Sequence, residues 1–184
     1  MKKLAFILAA VMLPCGAASA EDGQAANSNP IFPVPPNVTF LSGDTWNQGG
    51  TIVRLYGVQS CIRGTKVKVS AEKTTDCGEI SMVYLAGLVK NTAPQCQGIA
   101  ETTQPKQYLV VCKANVGGQQ VDLGTALILS GFAFSAYNPD GTPTSMQYVV
   151  AEEQARNQKA GLWAFPDFPY PTAILMKAVK PREQ

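Results

Sequence analysis

Apolar and polar positions follow different periods in different parts of this chain, and the change of period predicts its elements. Residues 51–58 alternate around Ile52 and Leu55 and read as a strand, with shorter apolar runs at 38–41 and 67–69. Ser42-Gly43-Asp44 marks a turn, and Gln48-Gly49-Gly50 a hairpin turn. From residue 80 the period becomes helical: Ile80, Val83, Tyr84, Gly87 and Leu88 fall on one face. Asp76 and Glu79 before them form a capping-box pattern, so a helix is expected to about Lys90. Strands are expected at 95–101 and 108–114. Val116-Gly117-Gly118 then turns the chain into a short helix over 123–130, capped by Asp122 and stopped at Gly131. A last helix over 145–159 carries Tyr148, Ala151 and Ala155 and ends at Ala160-Gly161. Pro166, Pro169 and Pro171 are expected to break up the tail. Strands, helix, strands, helix, helix is an α+β order, with helices segregated from an antiparallel sheet or small barrel.

The first twenty residues are read separately. A basic start (Lys2, Lys3), an apolar stretch over 4–13 and a small-residue end, Ala18-Ser19-Ala20, have the layout of a cleavable secretory signal cut after Ala20. That stretch is shorter than the ~20 residues a membrane-spanning helix needs, and no later segment is long and apolar enough. A lipid-attachment reading of Cys15 is disfavoured, because Pro14 stands where a small residue is needed. Residues 21–36 are rich in Asn and Pro and read as a linker. Residues 37–165 suit one domain, and 166–184 a Pro-rich tail. Removing the signal takes two of fifteen basic residues and none of the thirteen acidic ones, leaving no net charge. Bulk charge therefore gives no argument for nucleic-acid or membrane attraction. Cys61, Cys77, Cys96 and Cys112 remain, an even number in an exported chain. That favours two disulfides over a four-Cys zinc site, for which no close Cys pair and no His is available.

Several motifs coincide with one family. Ser42-Gly43-Asp44-Thr45 followed by Val53-Arg54-Leu55-Tyr56-Gly57-Val58 resembles the "DGDT … RLxGVD" opening of staphylococcal-nuclease-like (thermonuclease) domains. Asp122-Leu123-Gly124, Leu127, Ser130-Gly131-Phe132-Ala133 and Ala136-Tyr137 are similar to their "DLNxxLVxxGxAxAY" segment. Tyr148, Ala151-Glu152, Ala155-Arg156 and Ala160-Gly161-Leu162-Trp163 resemble their closing "Y…AE..AR…GLW". The resemblance covers residues 38–163 and includes the secreted, cysteine-containing branch of the family. It implies a five-stranded oligonucleotide-binding-type (OB) β-barrel packed by three α-helices. On that implied fold the strands carrying Cys96 and Cys112 are adjacent, so these two are expected to pair, leaving Cys61 for Cys77.

The activity the resemblance implies is calcium-dependent hydrolysis of nucleic-acid phosphodiesters. Such chemistry needs carboxylates for a hard cation, cationic groups for the developing phosphorane charge and a positioned water. Asp44 matches the metal-binding acid of the "GDT" turn and Arg54 the first phosphate-gripping arginine. The acid that ends "RLxGVD" is replaced by Gln59, the water-positioning carboxylate falls on Ile62, and the second arginine falls on Gln107. Lys106 is adjacent, but a lysine lacks the bidentate fork that suits phosphate oxygens. Tyr137 matches a tyrosine near the family's nucleotide pocket.

Each of these residues also has a plain structural reading. Asp44 suits a Ser-Gly-Asp-Thr turn, Arg54 a surface ion pair, Asp76 and Glu79 helix caps, and Tyr137, Leu162 and Trp163 packing. The expectation is a periplasmic or secreted thermonuclease-like domain that has lost catalysis and acts as a binding module in the cell envelope. Its partner would be single-stranded nucleic acid or an envelope protein. Two alternatives stand beside it. One is an active calcium-dependent nuclease with Glu72 or Asp76 as a replacement ligand, and calcium is implied only there. The other is an envelope component of a secretion or conjugation system.

Overall fold

The computed structural model describes residue 29 and residues 31–179. The expected signal peptide, its cut after Ala20, Cys15 and most of the expected linker lie outside the described residues.

In chain order the elements are β1 (Ile31–Pro33), β2 (Thr39–Phe40), β3 (Thr45–Gln48), β4 (Thr51–Leu55), β5 (Val58–Ser60), β6 (Lys66–Lys68) and β7 (Thr74–Asp76). They continue with α1 (Cys77–Thr92), β8 (Gln95–Thr103), β9 (Lys106–Val116), β10 (Gln119–Asp122), α2 (Leu123–Leu129), β11 (Ala133–Ser135), α3 (Met146–Asn157), a 3-10 turn (Gly161–Ala164) and α4 (Pro171–Val179). The architecture of the described residues is α+β, a curled mixed sheet forming a half-barrel with four α-helices, and it is compatible with an OB-like fold. The main sheet runs β1-β8-β9-β4-β3-β2, with β10 also on β9. All its pairs are antiparallel except β4 with β9, where Val53, Arg54 and Leu55 face Tyr108, Leu109 and Val110 in parallel. Two small antiparallel pairs, β5 with β11 and β6 with β7, stand beside it.

The expected caps are present. The Asp76 carboxylate accepts from the N–H groups of Gly78 and Glu79, and that of Asp122 accepts from Thr125 N at 2.6 Å. Glu79 does not complete a capping box; its carboxylate takes Arg63 at 3.5 Å instead. α1 outlasts the expected stop at Lys90 and ends at Thr92, capped by Ala93, which is left-handed (φ 43°) immediately before Pro94.

Differences from the sequence expectation have local causes. The run over 51–58 is two strands rather than one, because Gly57 turns left-handed (φ 72°) between β4 and β5. Residues 45–47, to which the pattern assigns no element, and Gln48, expected in the hairpin turn, form β3 as the partner of β4, with Trp46 fully buried. Part of the expected linker is the edge strand β1, held to β8 and by Val34 N donating to Pro94 O at 3.0 Å. The Pro-rich tail holds a fourth helix where three were expected. Pro171 stands at its first position, where a missing N–H leaves no bond unmade.

The core has two parts. The larger lies between the sheet, α1, α2 and α3, around Trp46, Leu85, Val110, Leu123 and Leu127. The smaller gathers Cys61, Val67, Cys77, Phe134 and Leu162, flanked by aromatic side chains from the C-terminal segment. Each part holds one disulfide, Cys96–Cys112 and Cys61–Cys77, in the expected pairing. Cys96 and Cys112 face each other directly in the β8–β9 register. Among the described residues no helix is long and apolar enough to cross a membrane.

Candidate functional site

The turn before β3 carries Asp44, the neighbouring strand β4 carries Arg54, and β5 brings Gln59 and Ser60 to the same place. The turn approaches closely: a Cβ on Gly43 would lie 2.5 Å from that of Ser81 on α1. Asp44 is therefore pressed inward and only 2% exposed. Its Oδ1 accepts from Ser42 Oγ at 2.5 Å and Thr45 Oγ1 at 2.8 Å. Its Oδ2 accepts from Ser60 N at 3.1 Å and Arg54 Nη2 at 3.2 Å. The same Nη2 donates to Gln59 Oε1 at 3.0 Å, and Gln59 Nε2 donates to Ser60 O at 2.9 Å.

This arrangement decides what the site can do. A carboxylate offers about four acceptor directions, and all four here are taken by protein donors. The oxygen of Gln59 is also engaged, and by a cation. These residues do not fit a resident calcium ion: the one carboxylate of the cluster has no acceptor direction left, and an arginine occupies its open side. Among the described residues, no three His, Cys, Asp or Glu side chains are grouped so as to hold a metal ion. Asp76 is committed as well. Besides capping α1 it accepts from Gly64 N at 2.7 Å. Burial pushes its carboxyl up, but bonds from the N–H groups of Gly64, Glu79 and Gly78 and the charge of Lys66 outweigh burial and hold it below the ordinary value. Glu72 is exposed on the connection between β6 and β7.

The other expected residues are not gathered here. Lys106 sits at the β8–β9 hairpin tip, 75% exposed, paired with Glu101 at 3.2 Å. Gln107 faces Thr102 in the same hairpin, and Ile62 is half-buried in a turn closed by Thr65 N donating to Ile62 O at 3.2 Å. Tyr137 bridges to Pro143. Its hydroxyl is raised from the ordinary value by burial and by the charge of Glu152, opposed by Arg156.

Glu152, which the sequence shows only as part of the Ala151-Glu152 motif, marks a second polar centre. It is 3% exposed on α3, and its carboxylate accepts from Ser135 N at 2.7 Å, Tyr170 Oη at 2.6 Å and Arg156 Nη2 at 3.4 Å. Burial and then this carboxylate push the Tyr170 hydroxyl far above its ordinary value. Arg156 lies over the Trp163 ring, 4.6 Å from its centroid. An acid at an inward helical position beside Ala151 and Ala155 is the sequence signal for this centre. In comparisons with known proteins the chain matches no protein-family model and no curated protein.

Proposed function

We propose that this chain is an exported thermonuclease-like domain in which the former catalytic cluster has become scaffold, and that it acts as a binding module in the cell envelope. The single observation that carries the reading is the Asp44 carboxylate, fully bonded to Ser42, Thr45, Arg54 and Ser60, with Gln59 turned onto the same arginine. A nuclease of this family would need that carboxylate open to a cation and the arginine open to a phosphate. Here the two neutralise each other. The order of the motifs along residues 38–163 supports a thermonuclease-like, OB-type origin, and the curled sheet is compatible with it. The two disulfides fit an oxidising compartment and so support export.

Incubating the purified protein with single-stranded DNA and with RNA, in calcium and in chelator, tests this reading beside an Asp44→Ala variant. No cleavage above background is expected in any arm. Calcium-dependent cleavage that disappears in Asp44→Ala would show a working nuclease and overturn it.

A further inference from the structure

Helix α1 carries more apolar surface than the described residues cover. Ser81, Leu85 and Val89 are buried, while Ile80, Val83, Tyr84, Gly87 and Leu88 line a groove of about 590 Å³ along the flank of the helix. Val83 is 66% exposed there, where a helix packed on one side only carries polar residues. Tyr84 is held down by stacking on Phe132, 4.1 Å between ring centroids. The outer ridge of the groove is then the row Glu79, Val83, Gly87 and Asn91, spaced four residues apart. Gly87 breaks that ridge. Glycine weakens a helix interior and suits places where something approaches closely. At the helical glycines Gly78 and Gly124 an added Cβ would meet an atom of this chain at 2.6 and 2.5 Å, but at Gly87 it would meet nothing within 4 Å. Among the described residues, nothing requires a glycine there.

A second copy of the same helix supplies what is missing. The ridge is self-complementary about Leu85: Val83 and Gly87 stand two residues to either side of it, and Glu79 and Asn91 six. Two α1 helices crossing antiparallel at that level would bring these pairs together across a twofold axis, each contact occurring twice. Each Val83 would project into the other copy's gap at Gly87. Each Glu79 carboxylate, which holds Arg63 of its own copy at 3.5 Å, would also accept from the other's Asn91 amide. The ends agree in charge as well. Glu79 is in the first turn of α1 and Lys90 in the last, so the antiparallel pair sets each acid beside the other copy's lysine, whereas a parallel pair sets like charges together. Residues 21–184 carry equal numbers of basic and acidic side chains, so two copies meet without overall repulsion.

We infer that the α1 groove is a self-association surface, on which two copies pack α1 against α1 about a twofold axis at the level of Leu85, with Val83 of each filling the notch at Gly87 of the other. The inference stands apart from the reading of Asp44, and the nuclease assay does not bear on it.

An interface built on one helix from each copy is small, so sedimentation of the purified protein is followed from about 5 to 500 µM, where a monomer–dimer equilibrium is expected. Gly87→Val sets valine against valine and should weaken the dimer at least about tenfold; Val83→Gly, which leaves two facing gaps, should weaken it by a similar factor. The double variant Val83→Gly/Gly87→Val exchanges knob and notch and should recover association. Gly87→Val replaces a helix-interior glycine in open space, so its monomer should melt no lower than that of the wild type, which separates loss of the dimer from loss of the fold. A monomer at every concentration would overturn the proposal and leave the groove to a different occupant. A dimer that Gly87→Val leaves unchanged would place the contact elsewhere and overturn it too, as would a folded double variant that associates no better than the single ones. If the double variant does not fold, Gly87→Val alone decides.

Discussion

Asp44 and Asp76 are both acids whose lone pairs are spent on backbone and neighbouring donors, and that use gives each a measurable signature. Replacing Asp44 by Ala leaves the Ser60 N–H and the Arg54 guanidinium without their acceptor. It should lower unfolding free energy by about 3 kcal/mol in urea titration. Arg54→Ala should cost only about 1 kcal/mol, because that side chain is one-third exposed and water replaces its bonds. Equal stability of Asp44→Ala and wild type would contradict a scaffold role. Asp76 has a depressed carboxyl, so its contribution is fully present above its unfolded value of about 3.9 and is lost as pH falls through the lower folded value. Asp76→Asn should therefore show a shallower loss of stability than wild type below about pH 4. Asp76 was legible as a cap because Asp-x-x-Glu before an apolar helical run is a local pattern. The partners of Asp44 were not, since Arg54 and Ser60 reach it only once β4 and β5 have folded against the turn.

At the level of elements, the two disulfides close loops of the same length, 16 residues, and chain entropy alone assigns each about 3 kcal/mol. Their local effects should differ. Cys96 and Cys112 join strands already in register, whereas Cys61–Cys77 ties the residue after β5 to the first residue of α1 across the small β6–β7 pair. Replacing Cys61 and Cys77 by Ala should speed hydrogen exchange in β6, β7 and the first turns of α1. The Cys96/Cys112 double replacement should leave those amides slow. The crossing of the α2 and α3 ends is a second tight point. Gly131 is left-handed (φ 74°), and an added Cβ would collide with the Ala160 carbonyl. Gly131→Ala should therefore cost more than about 3 kcal/mol or abolish soluble expression, as thermal melts would record. Helices α1, α2 and α3 were readable from caps and period, but β3, β7, β10 and β11 are too short to carry a period of their own. They exist because a neighbouring strand pairs with them. The fourth helix was hidden by prolines that break helices when internal and start them when first.

For the whole molecule, the α+β plan followed from the order of strand and helix periods, and the cysteine pairing from the fold that the resemblance implies. The curl of the sheet and the aromatic packing of the second core depend on contacts between residues far apart in sequence. Strand β9 shows what that distance implies. Along one edge it meets β8, its neighbour across a short hairpin; along the other it meets β4 in parallel, with Val53 against Tyr108. The first pairing closes a small loop and the second a large one, and large loops are entropically slower to close. Folding should then be a two-tempo process in which the β8–β9 hairpin is structured at the rate-limiting barrier and the β4 seam forms after it. Weakening the hairpin by Val111→Ala should slow refolding, while weakening the seam by Val53→Ala should leave refolding nearly unchanged and speed unfolding. One strand would thus set how quickly the protein forms with one edge, and how long it lasts with the other.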